Sequence, residues 1–237
     1  MSKKLTPFKF KKFYISHEKC AMKVGVDGVL IGAWTNVSDP KEILDIGTGS
    51  GLISLMMQQK YPNASITSIE PNKIAFEEAK LNFNNYISNN KPEIIFSELK
   101  DFNSLKQFDL IISNPPFFEE IVSSGDPNRD QARQAKFLPL KEFIHTSSNI
   151  LSEKGYFNFI YPTQQTAQIL EIAKNANLYL ANRTLVFPAK GKNSKRTLFS
   201  FTKTEKESYS KELIIKNNNG DFTKEYKELT KDFYINF

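Results

Sequence analysis

Sulfur and imidazole are scarce in this chain. Of 237 residues one is cysteine, Cys20, which excludes an internal disulfide and most thiolate metal sites. Two histidines, His17 and His145, argue against a histidine zinc centre or a catalytic triad, so no metal is expected. No apolar run approaches the roughly 18 residues of a membrane span. The start, MSKKLTPFKFKKF, is positively charged but lacks an apolar core or a small-residue cleavage site, so it does not read as a secretory signal. Repeats and low-complexity linkers are absent too. A reducing cytoplasm, with no membrane partner, is the expected setting.

What is present is ordinary in amount and uneven in placement. Hydrophobic residues at 40% suffice for a core, and 237 residues fit one sizeable domain with modest terminal additions. The net charge of +6 suits a polyanionic partner without specifying one. Near the N-terminus Lys3, Lys4, Lys9, Lys11 and Lys12 interleave with Phe8, Phe10, Phe13 and Tyr14. A second cluster, Lys190, Lys192, Lys195 and Arg196, sits in a glycine-containing loop. Basic residues alternating with aromatics can hold phosphates while stacking bases. The competing readings are a strand with one solvated face for the first cluster and a solvated hairpin for the second.

From residue 42 onward, short β-rich runs alternate with helical patterns. Strands are expected at 42–46, 65–70, 93–97, 108–113, 155–161, about 179–187 and 197–202, and helices at 52–61, 71–86, 140–151 and 163–175. Alternation at this pitch means a mainly parallel, seven-stranded sheet with helices on both faces, an α/β Rossmann-like fold. The last two strands should form an antiparallel hairpin at one edge. A charged tail with the run Asn217-Asn218-Asn219-Gly220 follows, and no role is read from it.

The segment Asp45-Ile46-Gly47-Thr48-Gly49-Ser50-Gly51 joins the first of these strands to the first helix. Glycines there let the backbone turn tightly and approach a ligand. Glu70 ends the second strand, where an acid can accept hydrogen bonds from ribose hydroxyls. The spacing is not the G-x-G-x-x-G of a pyrophosphate site. S-adenosylmethionine has a ribose, a sulfonium and an amino-acid end but no phosphate. Asp45 can help hold its ammonium indirectly, and Glu98, or its neighbour Asp101, can accept from the adenine amine. These acids favour S-adenosylmethionine over a dinucleotide; a plain strand-to-helix turn is the bland alternative.

Asn114-Pro115-Pro116-Phe117 follows the fourth strand and should face the same crevice, because ligands sit beyond the carboxyl ends of such strands. Two prolines stiffen the chain. The exocyclic amine of adenine is a poor nucleophile, its lone pair being delocalised into the ring. The Asn114 side-chain carbonyl and the Pro115 backbone carbonyl can bind both amine hydrogens and stabilise the developing positive charge. Rigid prolines limit reorganisation, and Phe117 offers a ring for an extruded base. A rigid strand terminator is the simpler reading.

The glycine loop, Glu70 and Asn114 to Phe117 resemble the class I S-adenosylmethionine-dependent amino-methyltransferases. More narrowly, Lys23-Val24-Gly25-Val26-Asp27-Gly28 followed by Leu30-Ile31-Gly32-Ala33-Trp34 resembles the bacterial tRNA(Val) adenine-37 N6-methyltransferase family. The similarity runs over about residues 8–203. It implies that Lys23, Gly25 and Asp27 lie against the cofactor's methionine end, beside Gly47, Gly49 and Gly51. It also implies that Arg129 and Arg133, in a flap after the catalytic turn, help the basic loop and Lys11 and Lys12 hold tRNA. Glu98 stands where an aspartate is expected in that family. Three parts follow: residues 1–40, an extension packed on the core and lining the cofactor site; 41–203, the methyltransferase domain; and 204–237, the tail. The chain is expected to act as a monomer.

The closest rivals keep the chemistry and change the acceptor to a guanine amine in ribosomal RNA or a protein glutamine amide. Protein-glutamine enzymes usually carry an N-terminal helical domain, and DNA adenine enzymes a recognition module; neither has room here. A rival of another class is a non-catalytic RNA-binding module of the same fold, against which the intact Asn114 to Phe117 argues. A dinucleotide-dependent oxidoreductase fails on the loop spacing.

Overall fold

The strands are set by runs of β-branched and aromatic residues, and the sheet they build fixes which loops meet. The structure, a computed structural model, describes residues 6–17, 23–116 and 140–237. A small hairpin, β1 (Phe8–Lys9) and β2 (Tyr14–Ile15), precedes helix α1 (Val26–Trp34). Then come β3 (Glu42–Ile46), α2 (Leu52–Lys60), β4 (Ser65–Glu70), α3 (Lys73–Asn85), β5 (Glu93–Phe96) and β6 (Phe108–Ser113). Next are α4 (Leu140–Ile150), β7 (Leu151–Pro162), α5 (Thr166–Asn175), β8 (Tyr179–Ala189) and β9 (Arg196–Thr202). The chain continues through β10 (Tyr209–Lys216) and α6 (Lys224–Thr230).

Strands β3 to β10 form one sheet in the order β10-β8-β9-β7-β6-β3-β4-β5. Within it only β9 runs antiparallel to its neighbours. Period-two alternation feeds two apolar layers. Ile43, Leu110, Ile112, Ile160 and Leu198 pack with α1 and α2. Leu44, Ile46, Ile111, Phe157, Phe159, Phe199 and Phe201 pack with Phe143 and Ile144 of α4 and Ile169 of α5. Helix α3 begins two residues later than expected, capped by Asn72, which accepts from the backbone N–H groups of Ile74 and Ala75.

Two expectations are corrected. The sheet has eight strands, because the segment read as a tail supplies β10, paired in parallel with β8. The β8–β9 hairpin therefore does not form the sheet's edge; β10 covers it. The same segment explains the N-terminal aromatics. Phe10 and Phe13 are buried and stack on one another, and Phe10 stacks on Tyr234, so these rings belong to the core and offer no platform for bases.

Register decides what lies at the sheet's working edge. Ile46 of β3 pairs with both Ile69 of β4 and Ser113 of β6, and Ser113 pairs with Phe159 of β7. The turns that begin at Gly47 and at Asn114 thus leave the sheet at one edge, one strand apart.

Candidate active site

The turn after β3 is built for close approach. Gly47, Gly49 and Gly51 have φ of 68°, 58° and 85°, left-handed values that suit glycine. At Gly51 a Cβ would also stand 2.5 Å from Cε1 of Phe83. Three of the turn's N–H groups have partners: Gly47 and Thr48 donate to the carbonyl of Ile69, and Gly49 donates to Glu70 Oε2 at 2.9 Å. Glu70 Oε1 accepts from Asn72 N at 2.8 Å. A pyrophosphate needs N–H donors with no carboxylate beside them; this turn sets Glu70 there. Burial pushes the Glu70 carboxyl up, while those two N–H donors pull it down.

Asp45 lies beneath the turn, fully buried, and is not part of the cavity lining. Its Oδ2 accepts from Thr48 Oγ1 and from Ser54 Oγ, both at 2.6 Å, and Ser54 meets Ser68 Oγ at 2.7 Å. Burial raises its carboxyl to about 6, against the lowering effect of the Ser54 and Thr48 hydroxyls. Through Oδ2, Asp45 thus ties the turn to the start of α2.

A cavity of about 330 Å³ opens between this turn, the start of α1 and the end of β6. Lys23, Gly25, Asp27, Gly47, Gly49 and Asn114 all line it, joined by Val24, Gly28, Leu52 and Ile53. Three separate stretches of the sequence therefore converge on one space. Oδ1 of Asn114 is buried and, among the described residues, has no hydrogen-bond partner. A larger cavity of about 880 Å³ lies by Pro40, Asp109 and Tyr209, at the amino ends of the strands, and touches none of the expected site residues. Among the described residues no cluster of histidine, cysteine or acids could hold a metal, and no helix is long and apolar enough to cross a membrane.

The family model described as "Methyltransferase small domain" matches residues 29–181. A protein of Christiangramia forsetii named tRNA1(Val) (adenine(37)-N6)-methyltransferase is 41% identical over 234 residues, covering 97% of this chain and 98% of its own. Proteins of the same name from Bacteroides thetaiotaomicron and Pseudoalteromonas translucida are 35% and 34% identical; the matches cover 96% and 98% of this chain, and 97% and 99% of theirs. The chain belongs to the tRNA1(Val) (adenine(37)-N6)-methyltransferase family. Solved structures bear out the fold of this methyltransferase family. A predicted O-methyltransferase from Agrobacterium tumefaciens aligns with TM-score 0.68 at 18% identity, covering 87% of this chain and 96% of its own. A methyltransferase from Pyrococcus furiosus aligns with TM-score 0.59 at 17% identity, covering 81% and 90%.

Against that family frame the remaining expected residues fall into three groups. Phe117, Arg129 and Arg133 lie outside the described residues. Lys190, Lys192 and Lys195 are exposed on the β8–β9 loop, which reaches the same edge as Asn114 and is tied to the end of β7 by Thr163 N donating to the Lys195 carbonyl. Arg196, at the foot of that loop, donates from Nε to Asp27 Oδ2 at 2.8 Å. The last group is engaged elsewhere. Lys11 donates from Nζ to the carbonyls of Lys231 and Phe237, whereas Lys12 is exposed. Glu98 is exposed and pairs with Lys100 at 2.9 Å, and neither it nor Asp101 lines the cavity.

The sequence reading missed the residues that hold the turn in place. Thr48, Ser54 and Ser68 come from three elements, and nothing in their spacing announces that they meet. Asn82 carried a signal: it falls on the buried face of α3 with Ala75, Ala79 and Phe83, where a polar residue needs a partner. Its Nδ2 donates to the carbonyls of Ser16 and Ser50, and its Oδ1 accepts from Ser16 N. His17 accepts at Nδ1 from the N–H of Val24, a lining residue of the cavity.

Proposed function

We propose that this protein uses S-adenosylmethionine to methylate the exocyclic N6 of an adenine in tRNA, adenine 37 of tRNA(Val), acting as a monomer in the cytoplasm. The observation that carries the reading is the orphaned, buried Oδ1 of Asn114 at a cavity shared with the glycine turn. Relatives of this name at 34–41% identity over nearly the full length support the substrate.

The residues present fit the cofactor. A turn with a carboxylate beside its N–H groups suits a ligand without phosphate, and Glu70 at the end of β4 is an acceptor for a ribose diol. Lys23, Gly25 and Asp27 form the wall assigned to the methionine end. When bound, S-adenosylmethionine supplies a methyl carbon on a positively charged sulfur, an electrophile that needs no metal.

The protein's share is to make the nitrogen attack. Asn114 Oδ1 and the Pro115 carbonyl accept the two N6 hydrogens, which turns the lone pair out of conjugation toward the methyl carbon. Transfer would form the N–C bond and leave the electron pair of the C–S bond on the cofactor's sulfur. The nitrogen's positive charge is stabilised by the two oxygens until one proton leaves. Pro115 and Pro116 fix these oxygens in advance, which is worth more than a stronger base for an amine of this kind. Lys12, Lys190, Lys192, Lys195, Arg129 and Arg133 hold the tRNA backbone; Phe117 backs the extruded base.

The test incubates the protein and labelled S-adenosylmethionine with total tRNA, ribosomal RNA, DNA and protein extract, then digests and identifies the product. N6-methyladenosine from tRNA is expected, and label confined to protein would instead support glutamine methylation. Asn114→Ala should cut turnover about 10²- to 10³-fold, the scale of losing one preorganised polar group, with tRNA affinity kept. Undiminished transfer by Asn114→Ala would refute the mechanism.

A further inference from the structure

We propose that tRNA contact extends past the β8–β9 loop onto a shelf formed by Lys216 at the end of β10 and by the turn Asn217 to Gly220, which together hold phosphates of the stem flanking the target base. The inference rests on the tRNA reading above and adds a segment outside the matched family model, which ends at residue 181.

Placement comes first. Lys216 pairs with Ala189, and Lys190 N donates to the Lys216 carbonyl at 3.1 Å, so the shelf adjoins the basic loop at the carboxyl edge of the sheet. In the order β10-β8-β9-β7-β6, β10 lies four strands from the strand that ends at Asn114. At about 4.8 Å per strand the shelf is roughly 19 Å from the catalytic asparagine. That distance is too great for the target nucleotide or its neighbours. It suits the backbone of a duplex stem, which proteins hold mostly by shape and phosphate.

Charge is the second argument. Lys190, Lys192, Lys195 and Lys216 are exposed, and among the described residues none of them is in an ion pair. The strand is polarised along its length. Its amino end carries Glu207 and Glu212 beside Lys206 and Lys211, whereas residues 213–220 carry one charge, that of Lys216. Glu212, four residues before Lys216, and Asp221, at the far side of the turn, are the acids that bound this stretch.

Third, the turn is rigid although it is exposed. Asn217 Oδ1 accepts from Asn219 N at 2.9 Å and from Asp221 N at 3.0 Å, Asn217 N donates to the Asp221 carbonyl, and Gly220 takes φ of 86°. Lys216 also bridges to Phe222. This geometry fixes the backbone that carries Asn218 and Asn219, both exposed, and their amides can donate to a phosphate backbone.

The experiment measures methyl transfer by wild type, Lys216→Glu and Lys216→Ala with full-length tRNA and with a short single-stranded anticodon-loop oligonucleotide, over a range of salt. With tRNA, Lys216→Glu should raise KM about five- to ten-fold and Lys216→Ala less, with kcat and the KM for S-adenosylmethionine unchanged. The slope of log KM against log salt should fall by about one for Lys216→Ala. The oligonucleotide, lacking a stem, should not distinguish the variants. An unchanged KM and salt slope on tRNA, or an equal loss on the oligonucleotide, overturns the shelf. Wild-type protein that methylates no tRNA overturns the functional reading itself, and the shelf with it.

Discussion

Nε of Arg196 stands 2.8 Å from Oδ2 of Asp27, so a residue expected to hold RNA and one expected to hold the cofactor hold each other. Both side chains are largely covered, at 30% and 26% exposure. The pair joins the foot of the basic loop to the first turn of α1, which lines the cavity. A joined pair has a kinetic signature that two independent contacts lack. Arg196→Ala and Asp27→Asn should each raise KM for both tRNA and S-adenosylmethionine about three- to ten-fold, the scale of a partly buried ion pair. The double variant should cost little more than either alone. Steady-state kinetics of the four proteins decides; losses that add, with Arg196→Ala confined to tRNA and Asp27→Asn to the cofactor, would show separate roles.

Asp45 makes stability and function pull apart. Its carboxyl ordinarily titrates at 3.8 and is raised by burial to about 6. Between those values the folded protein holds a proton that the unfolded chain has released, so this group's contribution to stability is complete below about pH 4 and lost as pH rises through 6. Glu70, also raised by burial, acts with the same sign. At pH 7 the buried charge is a burden that Asp45→Asn removes. The variant should therefore melt a few degrees higher than wild type at pH 7, at roughly 2–4 °C per kcal/mol for a chain of this size. That advantage should vanish near pH 4. Methyl transfer should fall at least ten-fold, because Thr48 and Ser54 lose the carboxylate that sets the turn. Thermal melts at the two pH values, with activity at pH 7, test both halves.

The sequence discloses what is carried by unbroken patterns. Strands β3 and β6 are largely apolar and β4 is rich in β-branched residues, as suits strands with both faces covered, and Asn72 caps α3. The glycine turn, Glu70 and Asn114 are legible for a related reason: each directly follows or ends such a run, so parallel topology alone brings them to one edge. Strand β10 has no such pattern. Tyr209 to Glu212 are all exposed, and what makes them a strand is the partner edge of β8, far back in the chain. Misreading that segment also misplaced Phe10 and Phe13, since alternating lysine and phenylalanine describes a base-stacking surface or a core-facing strand equally well. Tyr234 and the rest of the C-terminal segment decide between them.

Asn82 offers the sharpest check on how the cavity wall is held. It is 1% exposed, and its single amide satisfies three buried backbone groups: the N–H and carbonyl of Ser16 and the carbonyl of Ser50. It therefore clamps the N-terminal segment to the end of the glycine turn. Asn82→Ala leaves those groups without partners, each at a cost of about 1–3 kcal/mol, less whatever water recovers. The net loss should be about 2–4 kcal/mol, which lowers Tm by roughly 5–15 °C. Because Ser50 also lines the cavity, loosening the clamp should raise KM for S-adenosylmethionine in protein that remains folded at low temperature, with little change in kcat at saturation. Asn82→Asp is the discriminating variant: its carboxylate can still accept from Ser16 N but cannot donate to the two carbonyls. It should lie as low in Tm as the alanine variant, whereas a Tm close to wild type would show that the two donated bonds hold nothing in place.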